Sequence, residues 1–277
     1  MPLFHIHGLL AAVSATLSNR VDAALAGAGV DGQAEIVTAE IDRPVVIEPV
    51  LPKPGDPFPW AGHLGLTMLP GVLETIEEDA DGVPAKSTLV FVNTRSQAER
   101  WFNAISVAKP GWEKAIALHH GSLAREERER VEAGLKDGSV RLVVATSSLD
   151  LGVDFAPVER VMQVGSPKGI ARLMQRAGRS GHRPGATAYI VCVPTHALEM
   201  VEVAAVRRSI EAGKIEPRTT ESRPLDVLSQ HLVTLGLGGG FEPDAVYAEV
   251  RTAWAYRALS RAEFDWALDR VVDGGEP

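Results

Sequence analysis

From residue 87 to residue 212, short apolar, β-rich runs alternate with segments of helical periodicity, and this alternation restricts the fold more than any other feature. Strands are expected at 87–92, 115–118, 141–145, 160–164 and 186–193, with helices at 96–107, 125–136, 170–177 and 197–212. Repeated strand–helix units predict an α/β domain, a parallel sheet with helices on both faces and strands that read as continuous buried runs. Ligands of such sheets gather at the carboxyl ends of the strands. Asn93 and Thr94, His119 to Gly121, Thr146, and Gly165 with Ser166 all fall at expected strand ends, so one edge should carry the chemistry.

The stretch 142–185 is the richest in chemistry. An apolar run ends in Thr146, Ser147 and Ser148 and closes on Gly152 and Asp154; a helix then presents Gln175, Arg176 and Arg179 beside glycines. Guanidinium groups grip phosphate oxygens in bidentate fashion, and backbone beside glycine lets a phosphate come close. Between Arg160 and Arg183 stand Arg160, Lys168, Arg172, Arg176, Arg179 and Arg183 with no Asp or Glu, which weakens the plain reading of a solvated face laced with ion pairs. A polyphosphorylated ligand is expected, either a nucleotide or a nucleic-acid backbone.

Composition narrows the class. A formal net charge of −8 argues against coating nucleic acid by bulk electrostatics, so the local basic run suits selective contact. The single cysteine, Cys192, excludes an internal disulfide framework, and its neighbours Tyr189 to Val193 suit a buried thiol. No apolar run reaches the ~18 residues of a membrane span, so no membrane partner is expected and the chain reads as cytoplasmic.

Other strand ends carry weaker signals. Asn93, Thr94 and Arg95 suit phosphate contact, although Asn93 or Thr94 alone reads first as a helix cap. Gly121 and Ser122 could donate backbone amides to a phosphate. The adjacent His119 and His120 point to opposite faces of a strand, so no shared metal is expected. The prolines between 44 and 59 predict an extended connector, because proline propagates neither helix nor inner strand. Helices at 225–237, 244–255 and 261–272 follow a polar linker and would form a small helical module.

Together these segments resemble the second RecA-like domain of superfamily 2 DExH-box helicases. Residues 89–100 resemble motif IV, His120 and Gly121 with Arg128 the accessory motif after it, 145–154 motif V, and 175–183 motif VI; Ser14 to Thr16 resembles motif III. Residues 59–65, 146–155 and 165–169 narrow the likeness to the Lhr-type (large helicase-related) helicases, in their ligase-associated bacterial branch, and 224–228 resembles their winged-helix entry. The resemblance implies a RecA-like parallel sheet followed by a partial winged helix, and ATP-driven 3′-to-5′ movement on DNA in repair. It divides the chain into 1–44, a remnant of the first RecA-like domain; 45–86, connector and lead-in helix; 87–213, the second RecA-like domain; 214–224, linker; and 225–277, the partial winged helix.

It also implies roles. Arg179 becomes the arginine finger and Gln175 positions the phosphate or attacking water; Gly152, Asp154 and Arg183 face the nucleotide, with His182 or Arg183 as second finger. Asn93, Thr94, Arg95, Gly121, Ser122 and Thr146 track the strand, and Ser14 and Thr16 couple the two domains. Implied partners are single-stranded DNA, with an RNA–DNA hybrid as the alternative, the missing N-terminal helicase domain, and a DNA ligase and nuclease of the same pathway.

Half of such an engine is absent from the sequence. There is no G-x-x-x-x-G-K-[S/T]; residues 80–87 come nearest but have Ala for both glycines and precede a strand. The dipeptide Asp-Glu does not occur. ATP and Mg²⁺ are therefore expected only if a first RecA-like domain is supplied, and no metal ligand is assigned here. The sequence is expected to be part of a longer protein, through truncation or a misplaced start. The alternative is a non-catalytic nucleic-acid-binding or scaffold module of the same fold.

Overall fold

The structure, a computed structural model, describes residues 3–6, 9–12, 18–30, 32–38, 44–56, 58–62, 64–78, 80–150, 158–180, 187–217 and 221–274, with side chains from residue 18 onward. It divides into two compact units, one of 40–216 and one that joins 1–39 to 217–277. The second unit opens with an antiparallel pair, β1 (Leu3–Ile6) and β2 (Leu9–Ala12), then helix α1 (Arg20–Ala28).

Unit 40–216 is built on a six-stranded sheet in which every pairing is parallel. In chain order its elements are β3 (Val45–Pro49), α2 (Leu69–Thr75), β4 (Thr88–Phe91), α3 (Arg95–Ala108), β5 (Ile116–His119), α4 (Arg125–Asp137), β6 (Leu142–Ala145), β7 (Arg160–Val164), α5 (Ile170–Ala177), β8 (Ala188–Val193) and α6 (Ala197–Glu211). Across the sheet the strand order is β3-β8-β7-β4-β6-β5. Strands β4, β6 and β7 are buried at every position, as a sheet covered on both faces requires, with Thr88, Arg160 and Gln163 as their buried polar members. Alternate residues feed two cores. Leu89, Phe91, Val143 and Val161 pack with Val131 and Leu135 of α4, Leu173 of α5 and Val203 of α6. Val90, Val92, Val144 and Met162 pack with Val72 of α2 and Trp101 and Ile105 of α3.

Most boundaries shift by a residue or two from the sequence reading, and three of the differences matter here. Residues 45–49, expected as connector, add an edge strand beside β8, a place where proline is tolerated because one side of the strand needs no ladder. Strand β5 runs one residue further, so His119 lies within it. The expected helix 244–255 is α8 (Pro243–Val250), and a separate 3₁₀ turn (Trp254–Tyr256) follows it.

Helix α8 belongs to the other unit, with α7 (Leu225–Leu237) and α9 (Arg261–Asp273). Leu228, Leu232, Val246, Val250, Phe264 and Ala267 form their shared core. Ser260 and Glu263 start α9 with a reciprocal capping box, and Gly274 ends it in the left-handed conformation. The Val30 amide, just past α1, donates to the Thr252 carbonyl at 2.9 Å. No strand occurs among the described residues beyond 225. No helix of the described residues is long and apolar enough to cross a membrane.

Candidate functional site

Because the strands are parallel, β8, β7, β4, β6 and β5 all deliver their following residues to one edge. Residues 93–96 leave β4 there and are exposed. The Asn93 amide Nδ2 donates to the Ser166 carbonyl at 2.8 Å, joining the end of β4 to that of β7. The Thr94 hydroxyl accepts the Gln97 amide at 3.1 Å, so Thr94 is the N-cap of α3, as a threonine before a helix predicts. Arg95 reaches across to the turn after β5, where its Nη1 donates to Ser122 Oγ at 3.2 Å, and its Nε lies 3.7 Å from Glu99. Gly121 is exposed, with open space where a side chain would stand. Thr146 is half-buried at the end of β6, and its amide donates to the His119 carbonyl at 3.2 Å. The fold thus brings Arg95 and Ser122 into contact and sets Asn93, Thr94, Gly121 and Thr146 along the same edge.

Helix α5 carries the arginines, and here the sequence reading needs correction. The absence of acids between 160 and 183 suggested unpaired cations; the fold supplies acids from elsewhere. Arg176 is fully buried, with Nε 2.8 Å from Asp150 Oδ1 and Nη2 3.1 Å from Oδ2, while Nη1 bonds to Gln163 Oε1. Its guanidinium carbon stands 4.6 Å from the centre of the Phe91 ring. Arg172 approaches the same carboxylate at 3.9 Å, and Arg160 donates to the Thr75 carbonyl at 2.6 Å. Arg176 is therefore a structural cation. Arg179, one turn on, is half-buried; its Nη2 donates to the Asp150 carbonyl oxygen at 2.7 Å. Burial lowers its proton affinity while Asp150 raises it, and a guanidinium stays charged under either influence. Gln175, a residue before Arg176, is half-buried.

Two groups behind this edge, the buried Asp150 and the half-buried Glu199, were not singled out by their sequence neighbourhood. Asp150 holds Arg176 through its side chain and Arg179 through its backbone. Glu199, in the first turn of α6, accepts the Ser166 amide at 2.9 Å and the Thr195 amide at 2.7 Å, and so fastens β7 to β8. The only sequence signal for Asp150 is its place between the hydroxyl run and Gly152. Glu199 had none beyond its position near a helix start. The paired histidines do face different partners: His119 meets Ser148 Oγ at 2.7 Å and Glu132 at 3.1 Å, and His120 lies 3.6 Å from Glu99. Burial pushes the His119 pKa below its ordinary value against the pull of Glu132. Residues 80–87 precede β4, and the Gly82 carbonyl there accepts Trp112 Nε1 at 3.0 Å. Ser14, Thr16, Gly152, Asp154, His182 and Arg183 lie outside the residues whose side chains are described.

A parallel sheet with phosphate-type donors along its carboxyl edge, together with a three-helix module, is the architecture of a RecA-like helicase C-terminal domain with a winged helix. Residues 72–184 match the helicase conserved C-terminal domain, and 208–277 match the winged helix domain of the large helicase-related protein. The ATP-dependent helicase Lhr-Core of Methanocaldococcus jannaschii is 38% identical over 191 residues, 69% of this chain and 22% of that protein. Lhr-Core of Sulfolobus acidocaldarius is 31% identical over 261 residues, 91% and 29% respectively. The structure of Mycobacterium smegmatis helicase Lhr bound to ssDNA and AMP-PNP superposes with a TM-score of 0.76 at 30% identity, over 92% of this chain and 33% of that one. The chain belongs to the Lhr-type helicases, of which it carries the helicase C-terminal and winged-helix domains. It spans between a fifth and a third of the length of these relatives.

Proposed function

We infer that this chain serves as the second RecA-like half of an ATP-driven DNA helicase or translocase that moves 3′ to 5′ in DNA repair. Arg179 is the arginine finger, and Gln175 orients the phosphate or the attacking water. Gly152, Asp154 and Arg183 complete the nucleotide face, and Asn93, Thr94, Arg95, Gly121, Ser122 and Thr146 follow the backbone of a single strand. The division into a first-domain remnant, RecA-like domain, linker and winged helix belongs to the same reading, with Ser14 and Thr16 coupling the motor halves. The ligase-associated branch and the ligase and nuclease partners rest on the sequence resemblance alone.

The observation that carries this reading is the mounting of Arg179. Its half-buried guanidinium donates Nη2 to the Asp150 carbonyl oxygen, beside a fully buried arginine that the Asp150 carboxylate locks in place. That arrangement fixes the direction of a cation beside the carboxyl edge, and a preorganised guanidinium there suits developing negative charge. The similarity to a helicase bound to ssDNA and AMP-PNP supports both ligand classes. ATP and Mg²⁺ enter only with a first RecA-like domain, because the sequence holds neither a phosphate loop nor an Asp-Glu pair.

The test is DNA-stimulated ATP turnover, with and without a separately produced domain bearing the phosphate loop and DExH motifs. The expected outcome is no turnover by the chain alone, turnover on mixing, and a loss of about 10³-fold or more for Arg179→Ala. Robust turnover by the chain alone, abolished by Arg179→Ala, would instead require a nucleotide cradle within this sequence.

A further inference from the structure

Three tryptophans surround the sheet, and one of them is out of place. Trp101 and Trp112 are fully buried, with Nε1 of Trp101 donating to the Leu64 carbonyl at 2.6 Å and that of Trp112 to the Gly82 carbonyl. Trp60 is 78% exposed. Its loop is nonetheless pinned on both sides: the Pro59 carbonyl accepts the Ala197 amide at 2.9 Å, and the Gly62 carbonyl accepts Thr195 Oγ1 at 3.3 Å. Gly65, at φ +66°, lies so close to Thr195 that a Cβ there would stand 2.6 Å from its methyl. An apolar cleft of about 360 Å³, lined by Pro59, Gly62, Leu64, Leu66 and Thr195, opens at the same loop.

The loop is continuous with the carboxyl edge. From Gly62 the hydrogen bonds run to Thr195, from Thr195 to Glu199, from Glu199 to the Ser166 amide, and from the Ser166 carbonyl to Asn93. Both Glu199 carboxylate oxygens are taken up by these donors. The β8 end of the edge thus offers an aromatic face and an apolar wall where the β4 and β5 ends offer Asn93, Arg95 and Ser122.

We propose that Trp60 is a stacking platform for an unpaired nucleobase, at the end of the row of backbone contacts. This rests on the reading of that row as a single-strand track. An exposed ring on a pinned loop loses little freedom when it is covered, and stacking accepts any base because each has a π-face. Polar donors along the edge hold sugar and phosphate; the tryptophan takes the base that the backbone turns toward it.

The test is fluorescence anisotropy of this chain with a labelled oligothymidylate and with an abasic deoxyribose-phosphate strand of equal length. Trp60→Ala should weaken oligothymidylate binding about tenfold, the loss of one stacked base. It should leave abasic binding unchanged, and Trp60→Phe should restore most of the loss. Equal binding of oligothymidylate by Trp60→Ala and the unaltered chain overturns the proposal, and so does an equal loss on both strands. Arg95→Ala on the abasic strand judges the track separately: unchanged binding there removes the row itself, whatever Trp60 does.

Discussion

Arg176 and Asp150 meet as a bidentate pair inside the sheet–helix core, with Nε to Oδ1 at 2.8 Å and Nη2 to Oδ2 at 3.1 Å. Removing one partner from such a pair strands the other charge in the interior, which costs about 3–5 kcal/mol. Asp150→Ala and Arg176→Ala should each lower stability by that order, read as a fall in the urea midpoint at constant slope. The double variant should cost less than the two losses added together, because the second change removes the stranded charge. Arg176→Lys should rescue little, since an ammonium cannot supply the parallel fork. A loss below about 1 kcal/mol in both single variants would refute the buried pairing.

Thr94 separates folding from binding. Its hydroxyl caps α3 by accepting the Gln97 amide, and it stands on the edge assigned to the strand track. Thr94→Val should cost about 1 kcal/mol through the lost cap, whereas Thr94→Ser should cost only tenths. Both effects should appear in thermal or urea unfolding without any nucleic acid present. Identical stabilities for the two variants would mean that the cap contributes nothing.

What the sequence made legible follows from the range of the forces involved. The strands 88–91, 142–145 and 160–164 announce themselves because two-sided burial demands mainly apolar runs, and their common direction then places Asn93, Thr146 and Ser166 on one edge. Thr94 as a cap is a local matter of three residues. Arg176 was misread because its partner lies 26 residues away and nothing near it in sequence is acidic. Residues 45–49 were misread because edge pairing with β8 depends on a strand more than 140 positions later. Trp60 could be identified as aromatic but not as exposed, since its burial depends on how a proline-rich loop is pinned from β8 and α6.

His119 should make the fold sensitive to acid. It is buried between Ser148 and Glu132, and burial, reinforced by Arg128 and His120, lowers its pKa although Glu132 pulls upward. The folded protein therefore binds a proton less readily than the unfolded chain. Stability should be flat above pH ~6.5, the ordinary histidine value, and fall as pH drops below it, until the folded form is itself protonated. Urea midpoints between pH 7.5 and 5.5 measure the slope, and His119→Gln should flatten this histidine's share of it. A rise in stability on mild acidification would mean that the pair with Glu132 outweighs burial.

Cys192 offers a probe of how firmly β8 is held. It lies in the middle of the sheet's buried register, opposite Gln163, and burial pushes its thiol up to about 12. The thiolate is the reactive species, so neither access nor ionisation favours attack at pH 7.5. A disulfide reagent should modify the native protein only as fast as β8 opens, and the unfolded chain within the mixing time. Because β8 links the Trp60 loop through Thr195 and pairs directly with β7, its opening would dismantle the edge itself. Labelling should therefore accelerate in Asp150→Ala, whose loss weakens the core beneath the same edge, and remain unchanged in Trp60→Ala. Fast labelling of the unaltered chain would show that β8 is not held closed, and acceleration by Trp60→Ala that the loop and not the core holds it.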